Sequence, residues 1–419
     1  MAVSAARRRH QCEDEERNGQ PAAHRVNRTY DEEMKYVVCV PDGAADEPLE
    51  ELGGRTPLEA ARMPHLAALA KRSEVGRAAT SPPGMPPGSD VGNMAILGYD
   101  PARHHTGRAP IEAAALGIDL APDRVAFRCN LVRVDGDVMV DFAGGHPTSE
   151  QAAPVIAALE AELDGDVAFH PGVQYRHIVV APAAWADAAC TPPHDLTGQT
   201  AVWPTGAAAP QLQKLMDASR PVLERFGLDA NQIWLWGQGR ATDLPAFASV
   251  WGLDAALCSA VDLVRGLGVL TGIDVVDVPG MTAGYDTDYE AQRDACVAAL
   301  EDGADLFLLH VEASDEAGHA GDVAAKVDAL ERWDADIIGP LVDELGHLAP
   351  WRLLLLPDHA TPTALMTHTP DPVPYLIADS ADDGPGGEYT ESWTSRCSPV
   401  AGHSLMGRLL RQKKEEGAV

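Results

Sequence analysis

The chain has 419 residues, of which 45% are hydrophobic, and a formal net charge of −31 at pH 7. That length accommodates two or three domains, or one large domain with an insertion, and the apolar share is ample for a packed core. So negative a charge argues against nucleic-acid binding through a broad basic surface, and no apolar run approaches the ~18 residues of a membrane-spanning helix.

Residues 1–33 are charged and polar, without periodicity, and are expected to be a disordered tail. They contain "ARRR" but no apolar segment of a secretory signal. Seven cysteines are scattered at 12, 39, 129, 190, 258, 296 and 397 with no CxxC pair, which fits a reduced, cytoplasmic setting. Most basic residues are arginine. Asp-rich, Lys-poor surfaces occur in salt-tolerant proteins, so stabilisation by salt screening is an expectation. At Met34, a candidate for the true start, "MKYVVCVPDGAAD" changes the character to a buried parallel strand that ends at Asp42.

Next comes "PPGSDVGNMAILGYDP", Pro86 to Pro101. A Pro- and Gly-rich turn delivers Ser89 and Asp90 to the start of a helix. Two readings stand at this point. Either Ser89 or Asp90 caps the helix, or Ser89 is a nucleophile at its positive end, where anions are favoured. From about 121 to 228, short strands ("RVAFRCNLVRV", "YRHIVVAP"), a helix around 150–163 and a Thr-, Pro- and Gly-rich loop over 191–210 predict a smaller α+β cap. "NQIWLWGQG" (231–239) is expected to return to the main sheet.

Two further apolar strands end in acids and imidazoles: "DLFLLHVEASDEAGHAGD" (305–322) and "RLLLLPDHATPTALMTHTPDPVPYLI" (352–377), with an amphipathic helix over 321–346 between them. Alternating strands and helices predict an α/β, mostly parallel sheet with helices on both faces. The expected division is a tail (1–33), a first part of the main domain (34–120), an inserted cap (121–228) and a second part (229–419). Ligands of such sheets gather at the strands' carboxyl ends, where Asp42, Asp315, Asp358 and His359 fall. With Ser89, His319 and His368 they form a set of hard oxygen and nitrogen ligands, without cysteine, that suits Mn²⁺, Mg²⁺ or Zn²⁺ and is large enough for two adjacent ions.

The order Asp, Ser, DxxxH, DH, His resembles the alkaline phosphatase superfamily. The wording of "VPDGAADEP", "PPGSDVGNMAILGYDP", "GRAPIEAAALGIDL", "DEAGHAGD", "PDHATPTA" and "THTPDPVPYLI" is similar to archaeal-type cofactor-independent phosphoglycerate mutases, from about residue 34 to the C-terminus. The resemblance implies an alkaline-phosphatase-like fold and a binuclear site, with one ion on Asp315, His319 and His368 and the other on Asp42, Ser89, Asp358 and His359. It implies that Ser89 takes phosphate from 3-phosphoglycerate and returns it to give 2-phosphoglycerate, without 2,3-bisphosphoglycerate and with Mn²⁺ as the expected metal.

A phosphorylated acid needs cations, and Arg108, Arg128 and Arg176 near the matched phrases are the candidates. His146 and His177 are secondary candidates for acid–base work, and the general base is not identified. A bacterial branch proposed to act as homoserine kinases shares the wording around Ser89, and a metal-dependent phosphatase is a further alternative. The partner expected is a small phosphorylated carboxylic acid, with no nucleic acid or membrane.

Overall fold

The computed structural model describes residues 34–163 and 165–411, so the expected tail over 1–33 lies outside the described residues. Two sheets organise the chain. Across the larger one run Val400–Ala401, Glu74–Ala79, Val373–Asp379, Trp351–Leu355, Lys35–Pro41, Leu306–Val311, Ala255–Cys258 and Asp274–Val275. Its centre is parallel: Lys35–Pro41 pairs on one side with Leu306–Val311 and on the other with Trp351–Leu355. Val373–Asp379 joins antiparallel to both of its neighbours.

The central strands are apolar throughout because both faces are covered. Val37 and Cys39 enter one buried cluster with Phe307, Leu309 and Trp333. Val38 and Val40 enter another, on the opposite face, with Leu306, Leu308, Met94 and Ile96. The chemistry-bearing residues begin where these strands stop. Asp42 follows Pro41, Asp358 lies just beyond Leu355, and the helix Ala313–Ala320 starts two residues past Val311.

The smaller sheet comprises Val138–Asp141, Arg124–Asp135, Arg176–Pro182 and Ala168–His170, with Gln232–Gly239 on the long strand Arg124–Asp135. That last pairing corrects the expectation for 231–239. The strand runs antiparallel to Arg124–Asp135, from Val132↔Gln232 to Ala126↔Gly239, and buries Trp234 and Leu235 among the small sheet's own apolar residues. A run of apolar residues shows that a strand is buried but not in which of two cores.

The helix expected near 150–163 spans Ser149–Glu162 and opens with a capping box between Thr148 and Gln151. The helix expected over 321–346 is two helices, Val323–Arg332 and Gly339–Leu348, joined by a π-helical turn at Trp333–Ile338. Buried Asp334 in that turn accepts from the N–H groups of His65 (3.2 Å) and Leu66 (2.7 Å) at the start of the helix Pro64–Ala70.

The helix Arg108–Ala115 touches both layers. Ala109 and Ala113 pack against Ala126 and Ile178 of the small sheet, whereas Ile111 belongs to the apolar cluster of the large one. Its start is fixed by Gly107, which has φ +150°. A Cβ there would also stand 2.7 Å from the carbonyl carbon of Gln238. Only glycine suits that backbone and that approach. No helix among the described residues is long and apolar enough to cross a membrane.

Candidate metal and phosphate centre

Ser89 is the first residue of the helix Ser89–Ile96, with Gly88 as its N-cap and no side-chain cap bond. The capping reading of Ser89 or Asp90 is therefore not what the structure adopts. The Ser89 hydroxyl instead lies 3.4 Å from Asp42 Oδ2 and 3.4 Å from His359 Nε2. Asp90 turns to His105, whose Nε2 is 2.6 Å from its Oδ2. Burial would raise the Asp90 carboxyl, but Arg108 and His105 outweigh it and hold the group well below the usual carboxylate range.

Four residues on from Ser89, and so on the same helix face, Asn93 Nδ2 donates to the Ser89 carbonyl (3.0 Å) and to Asp358 Oδ2 (2.9 Å). Gly92 lets the helix close on that ligand, since a Cβ there would sit 2.9 Å from the Asp358 carbonyl carbon. Asp358 Oδ1 accepts from the N–H groups of Gly43 (3.2 Å) and His359 (3.0 Å).

Two groups of donor atoms result. Asp42, Asp358 and His359 place one ligand atom each within 4.8 Å of one another, and so do Asp315, His319 and His368. In the second group His319 Nε2 is 3.3 Å from Asp315 Oδ2 and 2.9 Å from His368 Nε2. His319 Nδ1 lies 3.1 Å from the Met366 carbonyl. A proton on Nδ1 satisfies that carbonyl and leaves the Nε2 lone pair for a cation, the usual arrangement of a metal-binding imidazole.

Electrostatics point the same way. Asp42 is raised well above the usual carboxylate range by burial and by the nearby Asp358 and Asp315, and its Oδ1 is buried without a hydrogen-bond partner. Asp315 goes the other way, because hydrogen bonding and charge from the surrounding imidazoles overcome its burial. His368 is pushed down to about 3 by burial and by His359. Burial lowers His319, but Asp315 outweighs it and raises the ring to about 9, so a cation at its Nε2 would displace a proton. Crowded acids, an orphaned carboxylate oxygen and the depressed His368 ring together fit divalent cations.

Residues that the sequence reading did not single out complete the centre. The Thr361 hydroxyl donates to Asp315 Oδ1 and lies 3.2 Å from His359 Nδ1, linking the two groups. It falls two residues after His359 in "PDHATPTA", a phrase already notable. His310 Nε2 lies 3.0 Å from Asp42 Oδ2, and Glu312 stands beside them as a third grouping. Beneath the site, fully buried Lys326 Nζ donates to Asp46 Oδ2 (2.9 Å) and to the carbonyls of Thr361 (2.8 Å) and Ala45 (3.3 Å), tying together the two ligand-bearing loops.

Arg108, Arg128 and Arg176 converge on the small-sheet side. Arg128 is pushed down to about 10 by burial, with Glu112 opposing and Arg108 and Arg176 adding. Its guanidinium lies 4.2 Å above the Trp236 ring and pairs at 2.9 Å with Glu112. Arg108 is 5.9 Å from the same ring, with its Nε buried and without a hydrogen-bond partner. Arg176 lies over Tyr175 at 5.7 Å and acts on Glu316 of the metal-side helix.

The two imidazoles named as secondary candidates differ. His177 is buried and accepts from the Gly172 N–H at 3.0 Å, so it fastens a turn. His146 is exposed and packs edge-on to Phe142 (6.5 Å) and Tyr175 (5.6 Å).

A mostly parallel α/β sheet with paired acid–imidazole groups at its carboxyl ends, a serine at a helix N-terminus and arginines opposite defines a class: α/β proteins built to hold divalent metals and a phosphate together. A sequence model described as 2,3-bisphosphoglycerate-independent phosphoglycerate mutase matches residues 70–227. A Methanothrix thermoacetophila protein of that same name is 48% identical over 360 residues, which is 83% of this chain and 91% of the relative. The chain belongs to the 2,3-bisphosphoglycerate-independent phosphoglycerate mutase family.

Among solved structures, a Pyrococcus horikoshii protein matches with a TM-score of 0.74 at 26% identity, over 92% of this chain and 100% of its own. A cofactor-independent phosphoglycerate mutase from Thermoplasma acidophilum shares the fold at a TM-score of 0.59 and 23% identity, over 90% of this chain and 99% of its own.

Proposed function

We propose that the protein interconverts 3-phosphoglycerate and 2-phosphoglycerate through a phosphoserine at Ser89. The observation that carries this reading is the position of the Ser89 hydroxyl at a helix N-terminus, 3.4 Å from both Asp42 and His359, opposite a cluster of three arginines. The name of the relative at 48% identity favours the mutase over the homoserine-kinase-like and phosphatase alternatives.

Asp315, His319 and His368 would hold one divalent ion, and Asp42, Ser89, Asp358 and His359 the other, with Mn²⁺ the ion proposed. Such ions, when bound, favour the serine alkoxide and neutralise charge on the phosphate. The chain's own groups do the rest. Ser89 Oγ forms a bond to phosphorus as the bond from phosphorus to the C3 oxygen breaks, and the serine proton ends on that departing oxygen. The helix N-terminus offers backbone N–H groups to the phosphate. Arg108, Arg128 and Arg176 hold the glycerate carboxylate while the molecule turns. The C2 hydroxyl oxygen then bonds to phosphorus, Ser89 Oγ leaves, and the hydroxyl proton returns to serine. No bisphosphoglycerate is needed, because the phosphate rests on the enzyme.

Water must be kept out, or the phosphoserine would hydrolyse. We propose this task for the segment carrying the small sheet, the inserted cap begun at 121 and extended by its last strand to 239. The six described cysteines are free thiols, in keeping with the cytoplasmic setting proposed.

The test is a coupled assay on Mn²⁺-loaded protein, first with 3-phosphoglycerate alone and then with homoserine and ATP. The expected result is 2-phosphoglycerate with almost no free phosphate, and phosphate on the Gly88–Asp90 peptide of quenched enzyme. Stoichiometric release of phosphate would establish a phosphatase instead, and turnover only with homoserine and ATP a kinase.

A further inference from the structure

His194 lies in the Thr-, Pro- and Gly-rich segment between the small sheet's strands, in a short 3-10 turn, Pro193–Leu196, whose preceding residue is also a proline. Two prolines fix φ on its N-terminal side, and buried Pro193 and Leu196 anchor the turn on either side of the histidine. The side chain is held by its ring rather than by hydrogen bonds to neighbours. It packs edge-on to Trp236 at 5.2 Å and to Phe142 at 6.2 Å, and its Nε2 is 3.6 Å from Asp195 Oδ1, too far for a hydrogen bond. About 43% of the side chain remains exposed.

Trp236 organises this corner. Its indole N–H donates to Asn130 Oδ1 at 3.0 Å, which locks the ring. Arg128 lies on the ring at 4.2 Å, Arg108 is at 5.9 Å, and His194 meets it edge-on. His194 also feels the charges of Arg108, Arg128 and, from the metal side, His319. Desolvation and these cations, opposed by Asp195, push its imidazole down to about 4. A neutral imidazole offers one N–H and one lone pair, which arginine cannot.

We infer that His194 contacts the substrate, reading the hydroxy acid of the phosphorylated ligand beside the charges that Arg108 and Arg128 supply. The glycerate moiety carries a hydroxyl that must both donate and accept as phosphate moves between its oxygens. The arginines answer the carboxylate and phosphate, and His194 answers the hydroxyl. The inference rests on the mutase reading for its substrate class.

The experiment compares wild type, His194→Phe and His194→Gln, all full-length and Mn²⁺-loaded. It measures KM and kcat for 3-phosphoglycerate, and 3-phosphoglycerate binding by calorimetry in a Ser89→Ala background. Phenylalanine keeps the edge-on packing against Trp236 but removes both polar atoms, and glutamine keeps donor and acceptor but loses the ring. A substrate contact predicts that His194→Phe loses about 3- to 10-fold in kcat/KM, the range for a hydrogen bond between neutral groups, with most of the loss in KM. His194→Gln should recover part of it, with melting temperature and metal content unchanged in both.

If His194 only packs, the order reverses, with phenylalanine matching wild type and glutamine impaired, and the inference is overturned. Wild type that binds 3-phosphoglycerate without turning it over would defeat the mutase reading while the calorimetric arm still decides on His194. Wild type that does neither would defeat both.

Discussion

The two sheets carry opposite chemistry. The large sheet ends in carboxylates and imidazoles so crowded that burial and neighbouring acids raise two of them well above the usual range, Asp42 beside Asp358 and Asp315, and Glu312 beside Asp42 and Asp315. The small sheet and the helix Arg108–Ala115 present guanidiniums so close that Arg108 and Arg176 help push down Arg128. Charge crosses between the halves at Asp90, which Arg108 lowers, and at Glu316, on which Arg176 acts, while Arg128 pairs with Glu112 rather than with Asp42, Asp315 or Asp358. The acidic half asks for cations and the basic half for an anion. A metal-bound phosphorylated acid meets both demands, so the division of charge amounts to a division of labour.

The sharpest test of that division lies on the large-sheet side. Ser89→Ala should lower turnover by about 10³-fold or more, because no covalent route remains. Its melting temperature should stay close to wild type, since the hydroxyl makes no cap bond. Near-wild-type turnover would remove Ser89 from the chemistry.

Next in size, His319→Ala and His368→Ala should each weaken the same ion by about 100-fold while leaving a second ion bound, as counted by metal analysis after dialysis. Full occupancy in both variants would break the assignment of that group. On the opposite side, Arg108→Met should raise KM for 3-phosphoglycerate by about 10- to 100-fold with metal content unchanged. A fall in metal content instead would show that the two halves are not separable.

The smallest effect concerns pH. Glu391 is half-buried, accepts from Thr56 Oγ1 (2.7 Å) and the Asp46 N–H (3.0 Å), and is raised to about 7, chiefly by desolvation of its carboxyl. Its folded-state value exceeds the unfolded one, so the stability it contributes is present in acid and is lost as pH rises from about 4.5 to 7. Glu391→Gln should flatten that dependence by about 1–2 kcal/mol between pH 5 and 8, measured by denaturant titration. An unchanged slope would show that the carboxyl is already ionised in acid.

The sequence alone determined the mostly parallel sheet and the residues at its carboxyl ends. Apolar β-branched runs have few folded solutions other than buried strands, and acids directly after them have little choice of position. That is why Asp42, Asp315 and Asp358 were legible together, as a set with the imidazoles beside them, and why wording spread over the chain could identify the family. Tertiary structure alone decided what depends on which surfaces meet. Gln232–Gly239 is as apolar as a strand of either core, and only pairing with Arg124–Asp135 placed it in the small sheet. Whether Ser89 capped its helix or faced Asp42 depended on where Gly88 set the helix start. Thr361, Lys326 and His194 belong to residue types common anywhere, and their roles come from partners up to 281 positions away, as with Lys326 and the Ala45 carbonyl. Local pattern reports burial and periodicity, whereas contacts between distant segments arise only when the packed chain leaves one way to satisfy its buried polar groups.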